Sequence, residues 1–447
     1  MPLEALILAA GLGTRMKSDL PKVFHALGGR PMLSWSIEAC RQAVGKRPYV
    51  VLGPEARDRW RDLEESFEVI IQKERLGTGH AVAQAEAALK GKTEALLITH
   101  ADLPLIRPES LQALVAAREE SDSKLTLLVA ESPTSRGFGR VKRDHSGRVT
   151  GIVEEAHATP EELSIRELNV GAYCIQCDWL WENLSKLPLS PKGEYYLTDL
   201  VGLAAEQGLE IVTASVKTED EIIGINTRVH LAQAEAALRQ RINQRWMLEG
   251  VTILDPANTY IGPQVEIARD TIILPNTHLT GRTVIGRGCR VGPNTSVHDS
   301  QIGDRCHLEH SVVEGAVLEE EVEVGPFAHL RQGAHLGRGV HMGNFGEVKN
   351  STLGPGVKMG HFSYIGDAEI GEGVNIGAGT ITCNYDGERK HRTVIGVDAF
   401  IGSDTMLVAP VRIGAGARTG AGSVVTKDVP DHSLAVGVPA RVIRKLR

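Results

Sequence analysis

The residues nearest the N-terminus that could do chemistry form a glycine-rich loop. It precedes Pro21 and Lys22 and reads Leu8-Ala9-Ala10-Gly11-Leu12-Gly13-Thr14-Arg15-Met16. A glycine loop after a first strand brings backbone N–H groups close to a phosphate chain. Arg15 and Lys22 add two cations, which suit a triphosphate. Because the string is neither a Walker A loop nor G-x-G-x-x-G, it indicates a nucleotide site of another kind.

Further polar and glycine residues follow this loop in order. Taken alone, each has an ordinary explanation: Asp102 could cap a turn, Asn226 could lie in a turn, and Glu154 could be a solvated charge. Asp and Asn oxygens are also ligands that suit Mg²⁺. Their occurrence in order behind the glycine loop favours a single site. In chain order the residues are Gln72, Gly77, Thr78, Asp102, Gly139, Glu154, Asn169 and Asn226.

A second group of reactive residue types lies between residues 331 and 390. Arg331 and Lys349 are 18 positions apart (331 to 349). This spacing equals one turn of the β-helix coil predicted below, so the two side chains are expected to lie on neighbouring coils. Two adjacent cations repel each other unless an anion lies between them, so this pair predicts a phosphate site. A histidine side chain in general can act as a base near neutral pH, so His361 is a candidate general base. Tyr364 and Asn375 can hydrogen-bond sugar hydroxyls. A lone exposed histidine is more often only surface, as we expect of His298, His307, His310, His329, His335 and His341.

The N-terminal motifs lie in a segment that alternates short apolar runs with stretches of helical spacing. This alternation predicts an α/β fold with a mostly parallel sheet covered on both faces. In such sheets ligands bind beyond the carboxyl ends of the strands. The predicted strands are Leu3–Ala9, Pro48–Leu52, Glu68–Gln72, Glu94–Thr99 and Leu125–Ala130, and the predicted helices are 31–44, 55–66, 78–90 and 107–120.

A different pattern begins at about residue 251, after a polar helix predicted over 227–249 and ended by Gly250. An aliphatic residue followed by glycine recurs every six positions, as in Ile395-Gly396, Ile401-Gly402 and Ile413-Gly414, with Val408-Ala409 expected at the missing step. A repeat this short buries a core only by stacking, which is the signature of a hexapeptide β-helix. Three edges of six residues predict a triangular coil of about 18 residues. Polar residues 382–392 interrupt the repeat, and such loops often carry function.

Composition excludes several classes of protein. The chain has 447 residues and a formal net charge of −7, with no strongly basic stretch, so a nucleic-acid interface is not expected. Its six cysteines show no paired metal spacing; Cys174 and Cys177, predicted in a strand, are expected to be structural, and unpaired thiols fit a reducing cytoplasm. The apolar N-terminus carries Glu4 and is expected to be a buried strand instead of a signal peptide. No membrane span is predicted.

The motifs together resemble one enzyme family. The glycine loop with its two cations is similar to nucleotidyltransferases that join a sugar-1-phosphate to a nucleotide. Gly-His-Phe-Ser-Tyr from residue 360 and Asn-Tyr-Asp-Gly from residue 384 resemble the bifunctional UDP-N-acetylglucosamine pyrophosphorylase/glucosamine-1-phosphate N-acetyltransferase family, the GlmU family. The resemblance covers residues 3 to about 440. It implies uridylyltransferase domain 1–226, helical linker 227–250 and left-handed β-helix acetyltransferase domain 251–447.

The resemblance also implies two reactions. Acetyl-CoA would acetylate glucosamine-1-phosphate in the C-terminal domain. UTP and Mg²⁺ would then convert the product to UDP-N-acetylglucosamine and pyrophosphate in the N-terminal domain, for peptidoglycan and lipopolysaccharide synthesis. The family's cytoplasmic homotrimer is likewise an expectation. The open alternative is a single-function nucleotidyltransferase whose β-helix only regulates or builds the oligomer.

Site residues follow from the resemblance by position. Catalytic roles fall on Arg15, Lys22 and His361, with His361 as general base of acetyl transfer, and metal binding falls on Asp102 and Asn226. Nucleotide and sugar-nucleotide binding is assigned to Leu8, Ala9, Ala10, Gly11, Lys22, Gln72, Gly77, Thr78, Gly139, Glu154, Asn169 and Asn226. Within this set, Gln72, Gly77 and Thr78 resemble the family's uracil-reading segment, and Gly139, Glu154 and Asn169 resemble its sugar-binding segment. Glucosamine-1-phosphate binding falls on Arg331, Lys349, Tyr364 and Asn375, and acetyl-CoA binding on Ala378, Asn384, Tyr385, Ser403, Ala421 and Arg441.

The chain departs from the family pattern at several positions. His100-Ala101 stands where the family often has Tyr-Gly before the metal aspartate, and Val170 stands where threonine is common. Gly437 takes the position of the family's last coenzyme contact, an arginine, so Arg441 is the nearest substitute.

Overall fold

The structure is a computed structural model that describes residues 2–56, 59, 66–134 and 136–446. Its contacts divide the chain into two compact units, Met1–Ala237 and Leu238–Arg447. The helix Arg228–Leu248 crosses this division. Within the described part of the chain, no helix is both long enough and apolar enough to span a membrane.

The N-terminal unit is built around a mostly parallel sheet, as predicted. Its apolar strands are buried on both faces, because Ile7 and Leu97 pack into one core cluster while Leu6 and Leu96 pack into another. One strand, Glu167–Gln176, is antiparallel to both neighbours. In spatial order the strands are Ile211–Ser215, Leu125–Glu131, Glu167–Gln176, Ala95–His100, Leu3–Leu8, Tyr49–Leu52 and Glu68–Ile71.

Two hairpins and a set of helices complete this unit. Arg140–Arg143 pairs with Val149–Val153 beside the antiparallel strand, and Ala26–Leu27 pairs with Arg30–Pro31. The helices are Met32–Val44, Thr78–Ala83, Glu86–Leu89, Pro108–Ser121, Pro160–Leu163, Cys177–Leu184 and Asp199–Glu206.

The predicted elements of this unit agree with the structure to within one residue at most ends. The helix predicted over 78–90 is instead two short helices. The helix predicted over 55–66 lies mainly on residues outside the described part of the chain. Cys177 begins a helix and does not continue the strand of Cys174. Both thiols are free and buried, and burial raises each pKa to about 12, so they are structural.

The C-terminal unit is the predicted left-handed β-helix, with three sheets that are parallel except for an antiparallel hairpin at the end of one of them. One sheet contains Thr252–Ile253, Ile272–Ile273, Arg290–Val291, His307–Leu308, Glu323–Val324, His341–Met342, Lys358–Met359, Asn375–Ile376, Phe400–Ile401, Arg418–Thr419, Ser433–Gly437 and Ala440–Lys445. The second contains Thr259–Ile261, Thr277–Thr280, Ser296–His298, Val312–Glu314, His329–Leu330, Gly346–Lys349, Ser363–Gly366, Ile381–Cys383, Met406–Val408 and Val424–Val425. The third contains Glu266–Ile267, Val284–Ile285, Gln301–Ile302, Val317–Leu318, His335–Leu336, Thr352–Leu353, Ala368–Ile370, Thr393–Ile395 and Val411–Ile413.

The six-residue lattice is buried as predicted, with one correction. Ile395, Ile401 and Ile413 are fully buried, but at the missing step Leu407 is buried and Val408 is exposed. Position 407 lies six after Ile401, so the inward-pointing residue keeps strict period six and its neighbour points outward.

The glycines of the repeat are required by space. A Cβ on Gly396 would lie 2.6 Å from the backbone nitrogen of Ala415 in the next coil, and one on Gly377 would lie 2.5 Å from that of Ser403. Neither glycine has a positive φ. Consecutive coils therefore approach closely at these corners because the glycine has no side chain.

The helix predicted as a polar connector has a buried stripe. Leu238, Ile242 and Trp246 recur every fourth residue and are buried in the C-terminal unit. Asn243 is fully buried and donates hydrogen bonds to the carbonyl oxygens of Pro256 (2.8 Å) and Thr259 (2.9 Å). The second half of the helix therefore packs on the first coil and satisfies its carbonyl groups.

Candidate active sites

The glycine loop follows the first strand and holds Lys22 close to its backbone. Gly13 has φ +65°, and a Cβ at this position would lie 2.5 Å from the Cβ of Lys22. Both the backbone conformation and the contact therefore require glycine. Leu8, Ala9 and Ala10 are buried, whereas Gly11 and Arg15 are exposed at the mouth of the loop.

Lys22 lies between two of the predicted metal ligands. Its Nζ donates to Asp102 Oδ2 at 2.7 Å and to Asn226 Oδ1 at 3.1 Å, and Arg15 also donates to Asn226 Oδ1 at 3.0 Å. Burial raises the pKa of Asp102, but the opposing effects of Lys22 and His100 are together larger and lower it. The carboxylate is therefore ionised at neutral pH.

The oxygen atoms of Asp102 and Asn226 fit a hard divalent cation. Both converge on one point, where the Lys22 ammonium now lies, and such a cation takes few protein oxygens with phosphate and water as its remaining ligands. No group of three or more His, Cys, Asp or Glu side chains that could hold a metal occurs among the described residues. Any metal site here thus depends on substrate oxygens as well.

The predicted uracil segment is tied together by hydrogen bonds. Buried Gln72 donates to the carbonyl oxygen of Gly77 at 3.2 Å. Gly77 has φ +99°, and a Cβ there would lie 2.5 Å from the carbonyl oxygen of Tyr195. Thr78 Oγ1 accepts a hydrogen bond from the backbone nitrogen of Leu197 at 2.9 Å. Residues 72–78 are thereby fixed against residues 195–197.

These residues surround a cavity of about 650 Å³. It contains eleven of the predicted residues: Leu8, Ala9, Ala10, Gly11, Arg15, Lys22, Gln72, Gly77, Thr78, Asp102 and Asn226. The volume suits a nucleotide-sized ligand. The structure thus brings the glycine loop, the predicted metal ligands and the predicted uracil segment together around one cavity.

The predicted sugar segment forms a neighbouring group that does not line this cavity. The Gly139 carbonyl oxygen accepts from the Asn169 backbone nitrogen at 2.9 Å, and a Cβ on Gly139 would approach Glu154 Oε2 to 3.7 Å. Glu154 accepts from Thr198 at 2.8 Å. Asn169 is buried, and its amide donates to the Tyr173 hydroxyl at 2.7 Å. Gly139, Glu154 and Asn169 therefore lie together.

Sequence reasoning missed several residues of the nucleotide cavity. Arg75 donates to the carbonyl oxygen of Ala10 at 2.7 Å and pairs with Glu55, so it supports the glycine loop from the uracil segment. A basic residue so close to Gln72 in the sequence could have indicated that Arg75 belongs to the site. Glu194 and Tyr196 also line the cavity, and no local motif marks them.

His100 replaces the family tyrosine and lies at the cavity wall. A Cβ on Gly171, which has φ +84°, would lie 3.0 Å from its ring. Burial lowers the pKa of His100, and Lys22 lowers it further, against the attraction of Asp102 and Glu154. The imidazole is therefore neutral at neutral pH. Ala101 is buried, and Val170 is buried in the sheet core.

In the β-helix, Arg331 and Lys349 occupy equivalent positions of adjacent coils, as their spacing predicts. Leu330 pairs with Val348, and the Arg331 backbone nitrogen donates to the Val348 carbonyl oxygen. Sequence reasoning missed Glu347, which accepts from Arg331 at 2.9 Å. The carboxylate of Glu347 partly neutralises the two positive charges. Its position two residues before Lys349, on the same face of the coil, could have indicated this contact from the sequence.

One corner of the β-helix collects four of the other predicted residues. Backbone hydrogen bonds run down this corner from Gly379 to Phe362 (2.7 Å), from Asp404 to Ala378 (2.6 Å) and from Gly422 to Ser403 (2.8 Å). His361 precedes Phe362 in the chain. Its exposed side chain is therefore the first of a column of equivalent positions, which small residues occupy in the following coils. The column consists of His361, Ala378, Ser403 and Ala421, and we call it the histidine corner.

Tyr364 and Asn375 flank the histidine corner on the two adjoining sheets. A Cβ on Gly366 would lie 2.4 Å from the Tyr364 hydroxyl and 2.7 Å from Asn384 Nδ2. Asn384 is buried and donates to Asp367 at 2.5 Å. The glycine therefore lets a predicted sugar residue and a predicted coenzyme residue lie side by side.

The polar interruption is an ordered loop that protrudes from one coil. Ile381 pairs with Met406, 25 positions on, whereas the other paired residues of the same sheet are 16 to 18 positions apart. Exposed Tyr385 pairs with Lys390, and Asp386 accepts from the backbone nitrogens of Glu388 and Arg389. These hydrogen bonds, with one from His391, lower the pKa of Asp386, which holds the turn as a carboxylate.

The last predicted coenzyme residue lies in the terminal hairpin. Arg441 pairs with Val436, and its guanidinium donates to the Ala440 carbonyl oxygen at 3.2 Å. Gly437 precedes the turn with φ +101°. The hairpin extends the sheet that also contains Arg418.

An α/β unit with a nucleotide cavity and a hexapeptide β-helix with an exposed histidine together define a two-domain transferase. A profile described as MobA-like NTP transferase domain matches residues 5–161. The Bifunctional protein GlmU of Pelobacter propionicus is 47% identical over 99% of this chain and 97% of its own length. That of Geobacter metallireducens is 46% identical over 97% of this chain and 96% of its own length. The chain therefore belongs to the family of bifunctional GlmU proteins.

Family membership determines the kind of enzyme. The chain is a bifunctional transferase of UDP-N-acetylglucosamine synthesis, with a nucleotidyltransferase and an acetyltransferase activity. The single-function alternative is not favoured, because relatives matched over nearly their full length share the bifunctional name. A solved UDP-glucose pyrophosphorylase complexed with UDP-glucose matches 54% of this chain and all of its own, at 19% identity and a TM-score of 0.45, which is too weak a likeness to add to this conclusion.

Proposed function

We propose that residues 1–226 transfer uridylyl from UTP to N-acetylglucosamine-1-phosphate, that 251–447 acetylate glucosamine-1-phosphate, and that 227–250 link them. The observation that carries the N-terminal assignment is the convergence of Lys22, Asp102 and Asn226 at a cavity bordered by the glycine loop. The observation that carries the C-terminal assignment is the histidine corner.

Uridylyl transfer needs no protein nucleophile. A phosphate oxygen of the sugar attacks the α-phosphorus of UTP, and the bond to the bridging oxygen breaks as pyrophosphate leaves. The chain supplies position and charge: the glycine loop offers backbone N–H groups, while Arg15 and Lys22 stabilise the phosphates. Gln72, Gly77 and Thr78 hold the uracil.

Mg²⁺ is the cation we propose for Asp102 and Asn226. Bound there, it would neutralise phosphate charge during the transfer. Lys22 must leave the space between the two oxygens for this to happen, and a triphosphate oxygen offers its ammonium a new anionic partner. Gly139, Glu154 and Asn169 bind the sugar beside this centre.

Acetyl transfer begins when His361 takes a proton from the amino group of glucosamine-1-phosphate. The free amine then attacks the thioester carbonyl of acetyl-CoA, and the coenzyme leaves as a thiol. Arg331 and Lys349 hold the sugar phosphate, and Tyr364 and Asn375 hold the hydroxyls. His361 is exposed and so has access to substrate.

Acetyl-CoA is proposed to lie along the histidine corner. Ala378, Ser403 and Ala421 are small, so an extended pantetheine arm fits against the backbone there. Asn384 and Tyr385 border it from the protruding loop. Arg441, in the terminal hairpin, is the remaining coenzyme contact.

The assembly and compartment belong to the same proposal. A closed homotrimer suits a prism with flat faces. A reducing cytoplasm suits six free cysteines, five of them buried.

The test is a mass-spectrometric assay of the full chain with glucosamine-1-phosphate, acetyl-CoA, UTP and Mg²⁺. We expect UDP-N-acetylglucosamine from the complete mixture and N-acetylglucosamine-1-phosphate when UTP or Mg²⁺ is omitted. Without acetyl-CoA, neither acetylated product should form. Acetylated sugar that appears without acetyl-CoA, or no acetylated sugar in any mixture, would contradict the proposal.

A further inference from the structure

A second cavity of about 680 Å³ adjoins the nucleotide cavity in the N-terminal unit. The two cavities share Arg15 and Asn226 in their walls. The second is otherwise separate, because it is completed by Thr134, Arg136, His230 and Gln233, none of which lines the first. Apart from Arg15 and Asn226, no residue so far assigned to nucleotide, sugar or metal lines this space.

The charged side chains that line the second cavity are all cationic, in a chain of net charge −7. Arg15 and Arg136 are cations, His230 adds a nitrogen donor, and no Asp or Glu occurs among its lining residues in the described chain. The nucleotide cavity, in contrast, contains both Asp102 and Glu194. Cationic side chains without a carboxylate favour an oxyanion as the ligand.

Asn226 orients two of the donors. Its Oδ1 accepts from Arg15 at 3.0 Å, and its backbone nitrogen donates to His230 Nδ1 at 3.3 Å. Because Nδ1 accepts this hydrogen bond, Nε2 is the ring nitrogen left to donate to a ligand. One residue at the boundary therefore positions donors of both cavities.

The chemistry of the transfer identifies the oxyanion. When the sugar phosphate oxygen bonds to the α-phosphorus, the bridging oxygen departs with the electron pair, and pyrophosphate leaves on the side opposite the attacking group. Arg15 lies at the boundary of the two cavities and can contact pyrophosphate in either. We infer that the second cavity binds pyrophosphate after the bond breaks and before release, with Arg136 and His230 as its ligands. This inference rests on the proposed uridylyl transfer.

The test is product inhibition of the full-length enzyme by added pyrophosphate in the presence of Mg²⁺. We expect Arg136→Ala to raise the inhibition constant of pyrophosphate about tenfold, as for loss of one charge-assisted hydrogen bond, with less than a twofold change in the KM for UTP. Arg136→Lys should restore part of the loss. Arg148→Ala, which removes an exposed arginine of the hairpin, is the matched control and should leave both constants unchanged.

Two results would overturn the second site. Pyrophosphate inhibition that is the same in wild type, Arg136→Ala and Arg136→Glu would show that the cavity does not bind product. A matching rise in the KM for UTP would show that Arg136 belongs to the nucleotide site. Failure of the wild-type enzyme to release pyrophosphate at all would instead contradict uridylyl transfer itself.

Discussion

The Lys22 ammonium and a divalent cation would compete for the same two oxygens. Asp102 and Asn226 each lie within 3.1 Å of Lys22 Nζ. A positive charge is therefore already held at the point where phosphate charge must be neutralised. Movement of Lys22 toward a phosphate would leave that point open for the metal and would keep both positive charges close to the nucleotide.

Replacement of Asp102 by alanine should separate the two activities. Pyrophosphate release should fall at least about 100-fold, since the carboxylate of the cation site is lost, while acetyl transfer should not change. Parallel assays of pyrophosphate and free thiol measure both. Asp178→Ala removes an exposed carboxylate from a helix of the same unit and should alter neither. Unchanged pyrophosphate release in Asp102→Ala would rule out the metal assignment.

The opposite separation is expected at His361. His361→Ala should lower acetyl transfer by roughly 10²–10⁴-fold, the range for loss of a general base, and should leave uridylylation of N-acetylglucosamine-1-phosphate intact. Release of free thiol from acetyl-CoA is the measurement. His335→Ala, which removes a half-buried histidine that contacts Glu319 elsewhere on the β-helix, is the control. Equal loss of both activities would contradict two independent sites.

Among the elements, the corners of the β-helix contribute both to the packing of adjacent coils and to the placement of the proposed acetyltransferase residues. At the histidine corner, short residues in successive coils produce a column that only exists because the coils are in register. At other corners, glycine allows the backbones of adjacent coils to meet. The same repeat therefore supplies a rigid scaffold and an ordered series of positions for ligand contact.

Gly396→Ala tests the space requirement at a corner. The new Cβ would lie 2.6 Å from the backbone of Ala415, so the coils must shift, at a cost of about 1–3 kcal/mol. The midpoint of urea unfolding of the β-helix should decrease. Gly360→Ala is the matched control, because it has the same place in a repeat but a Cβ there meets nothing within 4 Å. Equal midpoints for the two variants would show that the corner can relax.

For the whole molecule, the two proposed sites lie in separate compact units, so we expect each reaction to proceed without the other. The contacts of Lys22, Asp102 and Asn226 lie within Met1–Ala237, and the histidine corner lies within Leu238–Arg447. The product of acetyl transfer is the sugar phosphate that uridylyl transfer consumes. The order of the two reactions is therefore determined by chemistry and does not require contact between the sites.

A mixture of two variants that each lack one activity should restore the complete pathway. Asp102→Ala would make N-acetylglucosamine-1-phosphate, which diffuses to His361→Ala for uridylylation. UDP-N-acetylglucosamine should thus form from glucosamine-1-phosphate in the mixture and from neither variant alone. Mass spectrometry of the nucleotide product measures this. If the mixture stays inactive although each variant keeps its own partial reaction, the intermediate does not pass between molecules as free sugar phosphate.

The sequence alone determined the features that depend on near neighbours along the chain. The six-residue repeat predicted the β-helix because each inward side chain and each corner recurs within one short period. The alternation of apolar runs predicted the sheet, and the glycine string predicted a phosphate site. The placement of Arg331 and Lys349 on adjacent coils followed from the same period.

Only the tertiary structure decided which distant side chains converge. Lys22 lies between Asp102 and Asn226, which are far from it in sequence, and Arg75 supports the glycine loop from the loop that follows another strand. The burial of Leu407 in place of Val408 required the exact register of a coil. Local periodicity is a property of the chain itself, whereas the position of a charge depends on how strands separated in sequence pair, and no short pattern encodes that pairing.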